Sequence, residues 1–214
     1  MTLNFDDLYT TSTVPWDLGE PQPAVVALER AGRISGTVLD VGCGLGNNAI
    51  YLAQRGYQVT AIDAATPAIE QARRRAAAHS VNVDFTVADA TTLTGFDSRF
   101  DTVLDSALYH CLTTEQRTMY IAALHRATKP NALLNILCFS DETIDGTPAP
   151  LPVSQTNIRD TLTTGGWAIT DLTSGKLLAA TDSIREFAAQ HPNAATDDHG
   201  RTLMPIWIVQ AKRM

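Results

Sequence analysis

The chain has few of the features that place a protein in a membrane, on a nucleic acid or in an oxidising compartment. Its three cysteines, Cys43, Cys111 and Cys138, lie far apart and form no C-x-x-C pair. That spacing argues against a disulfide framework or a zinc knuckle and for a reducing compartment. No segment approaches the ~20 apolar residues needed to cross a bilayer. The opening residues, Met1-Thr2-Leu3-Asn4-Phe5-Asp6-Asp7, lack both a basic n-region and an apolar h-region, so the cytoplasm is the expected location. Basic residues are also scarce: 16 Lys+Arg face 23 Asp+Glu, for a net charge of -7. A nucleic-acid binder would carry a basic face to replace condensed counterions. The densest basic stretch, Arg73-Arg74-Arg75, reads instead as the solvated face of a helix. Neither a nucleic acid nor a membrane is expected as a partner, and either a monomer or a homodimer is compatible with this composition.

What is plentiful is apolar character. With 44% apolar residues over 214 positions, the chain can close one full core, so residues 1–214 are read as a single domain. Short apolar runs alternate with helical patterns, which points to βαβ units and a mostly parallel sheet. Strands are expected at Thr37–Val41, Gln58–Ile62, Val83–Val87, Thr102–Asp105, Ala132–Phe139, Trp167–Leu178 and Thr202–Ala211. Helices are expected at Pro21–Ala31, Asn47–Gln54, Pro67 to about Ala78, and from a Thr114 cap to about Ala127, closed by Lys129-Pro130. Ser154 should cap a helix that stops at Gly165-Gly166, and Asp182 one that runs to about Gln190. Asp141 to Pro152, with its prolines and glycine, reads as a mobile loop without regular structure. Three functional stretches follow: a lid segment and helix at 1–31, a binding core at 37–139, and a substrate side at 140–214.

The run Val38-Leu39-Asp40-Val41-Gly42-Cys43-Gly44-Leu45-Gly46-Asn47 joins the first strand to a helix. Glycines there let the backbone turn sharply and bring main-chain N–H groups against a ligand. A glycine turn alone is a weak signal, because NAD and FAD folds use one too. Here the spacing is G-x-G-x-G rather than the G-x-G-x-x-G that cradles a pyrophosphate. Asp40, inside the strand, would repel a pyrophosphate but suits a cationic amino-acid moiety. Asp63 ends the second strand, where a carboxylate can accept both hydroxyls of a ribose; it could also serve only as a helix cap. Asp89, after the third strand, is placed to take an exocyclic adenine amine, and again capping is the bland alternative.

These signals, in this order, resemble the class I S-adenosylmethionine-dependent methyltransferases. The resemblance covers Val38 to Phe139, and the strand count extends it to the C-terminus. It implies an α/β, Rossmann-like sheet of seven strands, order 3-2-1-4-5-7-6, with the last strand antiparallel and helices on both faces. It also implies S-adenosyl-L-methionine as cofactor and S-adenosyl-L-homocysteine as its product. Residues matching Gly42, Cys43, Gly44, Asp63, Asp89 and Ala90 contact the cofactor in that family. Asp40, Asn47, Ala64 and Ser106, at the same strand ends, complete the expected core contacts.

Ahead of the core, Pro15-Trp16-Asp17-Leu18-Gly19 resembles the P-W-D-x-G segment of the thiopurine, halide and thiol methyltransferases and of their tellurite-resistance and heterocyclic-toxin (quinolone) relatives. The resemblance implies a lid, with Trp16 and Tyr9 over the cofactor; a Trp that merely packs the first helix is the structural alternative. After the fourth strand, Ser106-Ala107-Leu108-Tyr109-His110-Cys111 occupies the place where that family faces the methyl group. Its His pair is half kept, since Cys111 replaces the second. Tyr109, His110 and Phe139 are the expected substrate contacts and His110 the candidate base. The N-P-P-Y or D-P-P-Y run of amino-methylating enzymes is absent, and no acidic cluster suited to a divalent metal follows the fourth strand. The expected reaction is methyl transfer to O or S of a small aromatic or heterocyclic molecule, with detoxification as one purpose. Two rival readings are an inactive cofactor-binding relative and an NAD-dependent oxidoreductase.

Overall fold

The computed structural model describes residues 5–11 and 14–214. Strands β1 (Thr37–Val41), β2 (Gln58–Asp63), β3 (Asp84–Val87), β4 (Phe100–Ser106) and β5 (Thr128–Phe139) are parallel neighbours. Two short strands, β6 (Thr143–Ile144) and β7 (Thr147–Pro148), form a separate ribbon. The long β8 (Trp167–Ala179) and β9 (Thr202–Arg213) complete a seven-stranded sheet of order β3-β2-β1-β4-β5-β9-β8. With the ribbon set aside this is the expected 3-2-1-4-5-7-6, and β9 runs antiparallel to both β5 and β8.

Strand residues alternate between two apolar layers, as a period of two requires. Leu39, Val41, Val103 and Ile136 face one layer, together with Tyr120, Leu124 and Trp167. Val38, Leu104 and Leu137 face the other, with Val25, Ile50 and Ile69. Because both faces are covered, β1 and β4 are buried along nearly their whole length, polar residues included. Helices α2 (Pro23–Arg30), α3 (Asn47–Gln54) and α4 (Thr66–Ala78) supply the second layer. Helices α5 (Thr114–Ala127) and α6 (Gln155–Thr164) supply the first. A short α1 (Phe5–Thr11) lies against α4, and α7 (Arg185–Gln190) precedes β9.

Several local expectations are corrected. The cap of α5 is Thr113, not Thr114: its hydroxyl accepts from Gln116 N, and the Gln116 side chain accepts from Thr113 N at 2.9 Å. The helix then passes straight into β5, which starts at Thr128 by pairing with Phe100. Lys129-Pro130 falls at a register shift, where a missing N–H is tolerated. The stretch 141–152 is not devoid of regular structure. Asp145 and Gly146 both have positive φ (49° and 79°), the geometry an Asp-Gly pair gives a tight hairpin. Ser154 does cap α6, accepting from Asn157 N. Asp182 caps nothing; it lies in a 3-10 turn (Thr181–Ile184) that Thr181 Oγ1 ties to Gly200 O and Thr202.

Candidate active site

The carboxyl ends of β1, β2 and β4 meet at the glycine loop. Gly42, Gly44 and Gly46 all have positive φ, 69°, 52° and 82°. At Gly44 an added Cβ would lie 2.8 Å from the Tyr9 hydroxyl, so that glycine serves close approach as well as turning. Asp63 holds the loop from the next strand: Oδ2 accepts from Gly44 N and Oδ1 from Ala65 N, both at 2.9 Å. Asp63 thus ties the glycine loop to the turn that enters α4, but it does not cap that helix, whose N-cap is Ala65 without a side-chain cap. Burial raises the Asp63 carboxyl above the usual range despite these bonds.

Beneath the loop, Asp40 is 1% exposed, and its Oδ2 has no hydrogen-bond partner among the described residues. Burial first, then the neighbouring Asp105 and Asp63, push it up to about 7. A lone buried acceptor ringed by like charge suits a cation. Asp89 is exposed and accepts from Thr91 N and Thr91 Oγ1 on Oδ1, which closes a local turn; no helix starts there for it to cap. Ala64 and Ala90 flank Asp63 and Asp89 at the ends of β2 and β3; Ala64 is exposed and Ala90 half-buried.

The Pro15–Gly19 segment lies over this edge. Trp16 Nε1 donates to Tyr9 Oη at 2.9 Å, with the rings edge-on. Asp17 is clamped by Arg75 in a two-point bond, 2.7 Å each, and by Asn47 Nδ2 at 2.8 Å. Burial opposes the charge of Asp17, yet the Arg75 and Asn47 bonds outweigh it and hold the carboxyl below its usual range. Arg75 is therefore no member of a solvated basic face, and Arg73 is bonded to Phe85 O. Trp16, Cys43, Asn47 and Ser106 share the wall of one narrow pocket. Asn47 reaches it while both of its amide atoms engage Asp17 and Arg75. Asp17→Ala should therefore free the segment, raising the dissociation constant for S-adenosylhomocysteine about tenfold, the ~1.4 kcal/mol expected of a half-exposed charged pair with several bonds. Trp16 fluorescence during titration reads this, and an unchanged constant would show that the segment closes without the clamp.

On the other side, β4 turns into a 3-10 segment, Tyr109–Cys111. Asp105, fully buried, pins that turn by accepting from Leu108 N, Tyr109 N and Tyr120 Oη. Burial raises Asp105 to about 6, against the pull of those bonds. Tyr109, expected at the substrate, is completely buried, its hydroxyl on Asn157 and its ring beneath Arg117. His110 stacks on Phe139 with centroids 3.9 Å apart, and its Nδ1 accepts from Phe139 N at 3.2 Å. None of Tyr109, His110 and Phe139 lines that pocket. Sequence reasoning passed over Asp105, Arg117 and Ser140. The first is an acid inside an apolar strand, the signal already used for Asp40. Ser140, after Phe139, is fully buried, and its hydroxyl has no hydrogen-bond partner among the described residues.

An orphaned Asp40 oxygen, a glycine cradle and Asp63 beside it fit a ligand with a cationic amine and a diol; the fold and site define a cofactor-dependent transferase. The comparisons agree. Residues 38–131 match the methyltransferase domain family. The 2-heptyl-1-hydroxyquinolin-4(1H)-one methyltransferase of Mycobacteroides abscessus is 35% identical over the whole of both chains. A structure solved in work on the conversion of a disulfide bond into a thioacetal group during echinomycin biosynthesis is 38% identical. It superposes with a TM-score of 0.83 over all of this chain and 93% of that one. The magnesium protoporphyrin IX methyltransferase of Synechocystis, solved with S-adenosylmethionine bound, shares the fold (TM-score 0.59, 20% identity, 89% of this chain and 76% of that one). The protein belongs to the S-adenosylmethionine-dependent methyltransferases.

Proposed function

We propose that the protein methylates an oxygen of a small heteroaromatic molecule of the 1-hydroxyquinolin-4(1H)-one kind, in the cytoplasm, as a detoxifying step. The observation that carries this reading is the end-to-end likeness to a relative named for that acceptor. The net charge of -7 supports a small-molecule acceptor over a nucleic acid. One domain, residues 1–214, would suffice.

In this reading Asp63, Asp40 and the Gly42–Gly44 backbone hold the cofactor, with Asp89 and Ala90 at its adenine end. Cys43, Asn47, Ala64 and Ser106 shape the wall, and Tyr9 and Trp16 cover it. The bound cofactor supplies a methyl group on a sulfonium, already a strong electrophile. What remains for the chain is alignment and exclusion of water, and such positioning can supply ~7–11 kcal/mol. Phe139 and His110 border the acceptor side.

The test is direct. S-adenosylhomocysteine at 100 times its dissociation constant should stabilise the fold by ~2.7 kcal/mol, roughly 5–10 °C in melting temperature, and NADH should not. Mass spectrometry of 2-heptyl-1-hydroxyquinolin-4(1H)-one incubated with S-adenosylmethionine should read the gain of one methyl group. Stabilisation without turnover of any acceptor would leave a binding protein. A sulfur acceptor is the second reading, favoured by the likeness to the thioacetal-associated protein. Methylation of an aromatic thiol but no hydroxyl would select it.

A further inference from the structure

His110 occupies the place where a base is expected, but its surroundings equip it for the opposite task. The Phe139 N–H already points at Nδ1, 3.2 Å away, and occupies that lone pair. A neutral imidazole accepting at one nitrogen carries its proton on the other, so the ring presents Nε2–H. The stack on Phe139 and the 6% exposure of the residue leave the ring little freedom to turn. Nε2 has no hydrogen-bond partner among the described residues, yet it is not among the atoms sealed from solvent. A donor is thus held at the ends of β4 and β5 with nothing to donate to.

The charges around it point the same way. Arg117, from α5, donates to Tyr109 O, His110 O and Asn157 Oδ1 and has no carboxylate within ion-pair distance among the described residues. Its guanidinium disfavours a second positive charge on the adjacent imidazole. Asp105, from β4, is turned into its own ring of three donors, and burial keeps the nearby Tyr109, Cys111 and Cys138 protonated. Burial and then Arg117 hold His110 down to about 3, so the ring stays neutral throughout the working range.

We propose that His110 meets the acceptor as a neutral hydrogen-bond donor through Nε2, not as a base, and so favours acceptors that arrive as oxyanions. This rests on the oxygen-acceptor reading above. The balance is simple for such an acceptor: its oxygen bonds the methyl carbon as the carbon–sulfur bond breaks, and sulfur takes the electron pair. No proton moves. A neutral phenol would have to lose its proton first, and His110, with Nδ1 occupied by the Phe139 N–H, does not receive it.

Two measurements test this. In histidine-15N-labelled protein with S-adenosylhomocysteine, His110 should show its proton on Nε2 and no titration from about pH 5 to 9. A proton on Nδ1, or a midpoint between about 6 and 8, would overturn the proposal. In kinetics, His110→Gln keeps a side-chain N–H but cannot act as a base, and His110→Phe keeps a ring without a donor. With 2-heptyl-1-hydroxyquinolin-4(1H)-one, Gln should stay within about tenfold of the parent while Phe loses about tenfold to 10²-fold in kcat/KM. Equal losses in both variants, or no loss in either, would reject the donor. If the parent enzyme methylates neither this compound nor a simple phenol, the acceptor reading fails, and the spectrum still decides which proton His110 carries.

Discussion

Asp40→Asn should make the cofactor-free protein more stable at pH 8 and, in the same molecule, weaken S-adenosylhomocysteine binding. The carboxyl is fully buried, raised to about 7 by burial, Asp105 and Asp63, with one oxygen unpartnered. Its folded value lies above the unfolded 3.8, so the folded state holds the proton longer. The associated stability is complete below about pH 4 and is lost as pH rises through about 7. At pH 8 the fold therefore carries an ionised, poorly solvated acid that an amide of the same shape replaces without charge. We expect a gain of roughly 1–3 kcal/mol, several degrees in melting temperature, and a flatter stability profile between about pH 4 and 7. If Asp40 pairs with the cofactor's amine as proposed, that amine then loses its anion, and charge-assisted bonds of ~1.5–3 kcal/mol correspond to tenfold or more in affinity. Thermal melts and calorimetry on one preparation read both effects. A lower melting temperature would show that the charge is supported within the fold, and unchanged affinity would remove Asp40 from the cofactor site.

Asp105→Ala should be the most damaging single change near the site. It strips the partner from three buried donors at once: Leu108 N, Tyr109 N and Tyr120 Oη. Each buried donor left without an acceptor costs ~1–3 kcal/mol, and the missing carboxyl also leaves a small void. A total of about 3–5 kcal/mol would lower the melting temperature by roughly 10 °C or more. The same bonds fix the turn that carries His110, so activity should fall even at temperatures where the variant is folded. Asp105→Asn keeps an acceptor for the two backbone N–H groups and should recover much of the stability. A variant as stable as the parent would mean that water satisfies these donors, and Asp105 would then be no anchor.

The glycine loop was legible because its chemistry is local. Three glycines, the strand before them and Asp40 are contiguous in the chain, and Asp63 and Asp89 fall where successive parallel strands must end. The Asp145-Gly146 ribbon and the Thr113 cap were equally local signals. The first was hidden by proline-rich neighbours, and the second was one residue away from an equally good Thr. The Asp17–Arg75 clamp joins residues 58 positions apart, and nothing in either neighbourhood marks the pair.

The sequence by itself determined the alternation of strands and helices and the glycine turn after the first strand, because apolar runs and strand-end turns depend on near neighbours; the strand order followed from the family resemblance. Only the tertiary structure decided what the side chains at the carboxyl ends of the strands do. Tyr109 follows the fourth strand as a surface candidate would, yet packing against α5 and α6 buries it completely. His110 is a base or a donor according to which nitrogen meets a neighbour. That neighbour is the Phe139 backbone, 29 residues along the chain and brought beside it by the pairing of β5 with β4. A hydrogen bond of this kind has no sequence signature, because any residue at position 139 other than proline would supply the same N–H.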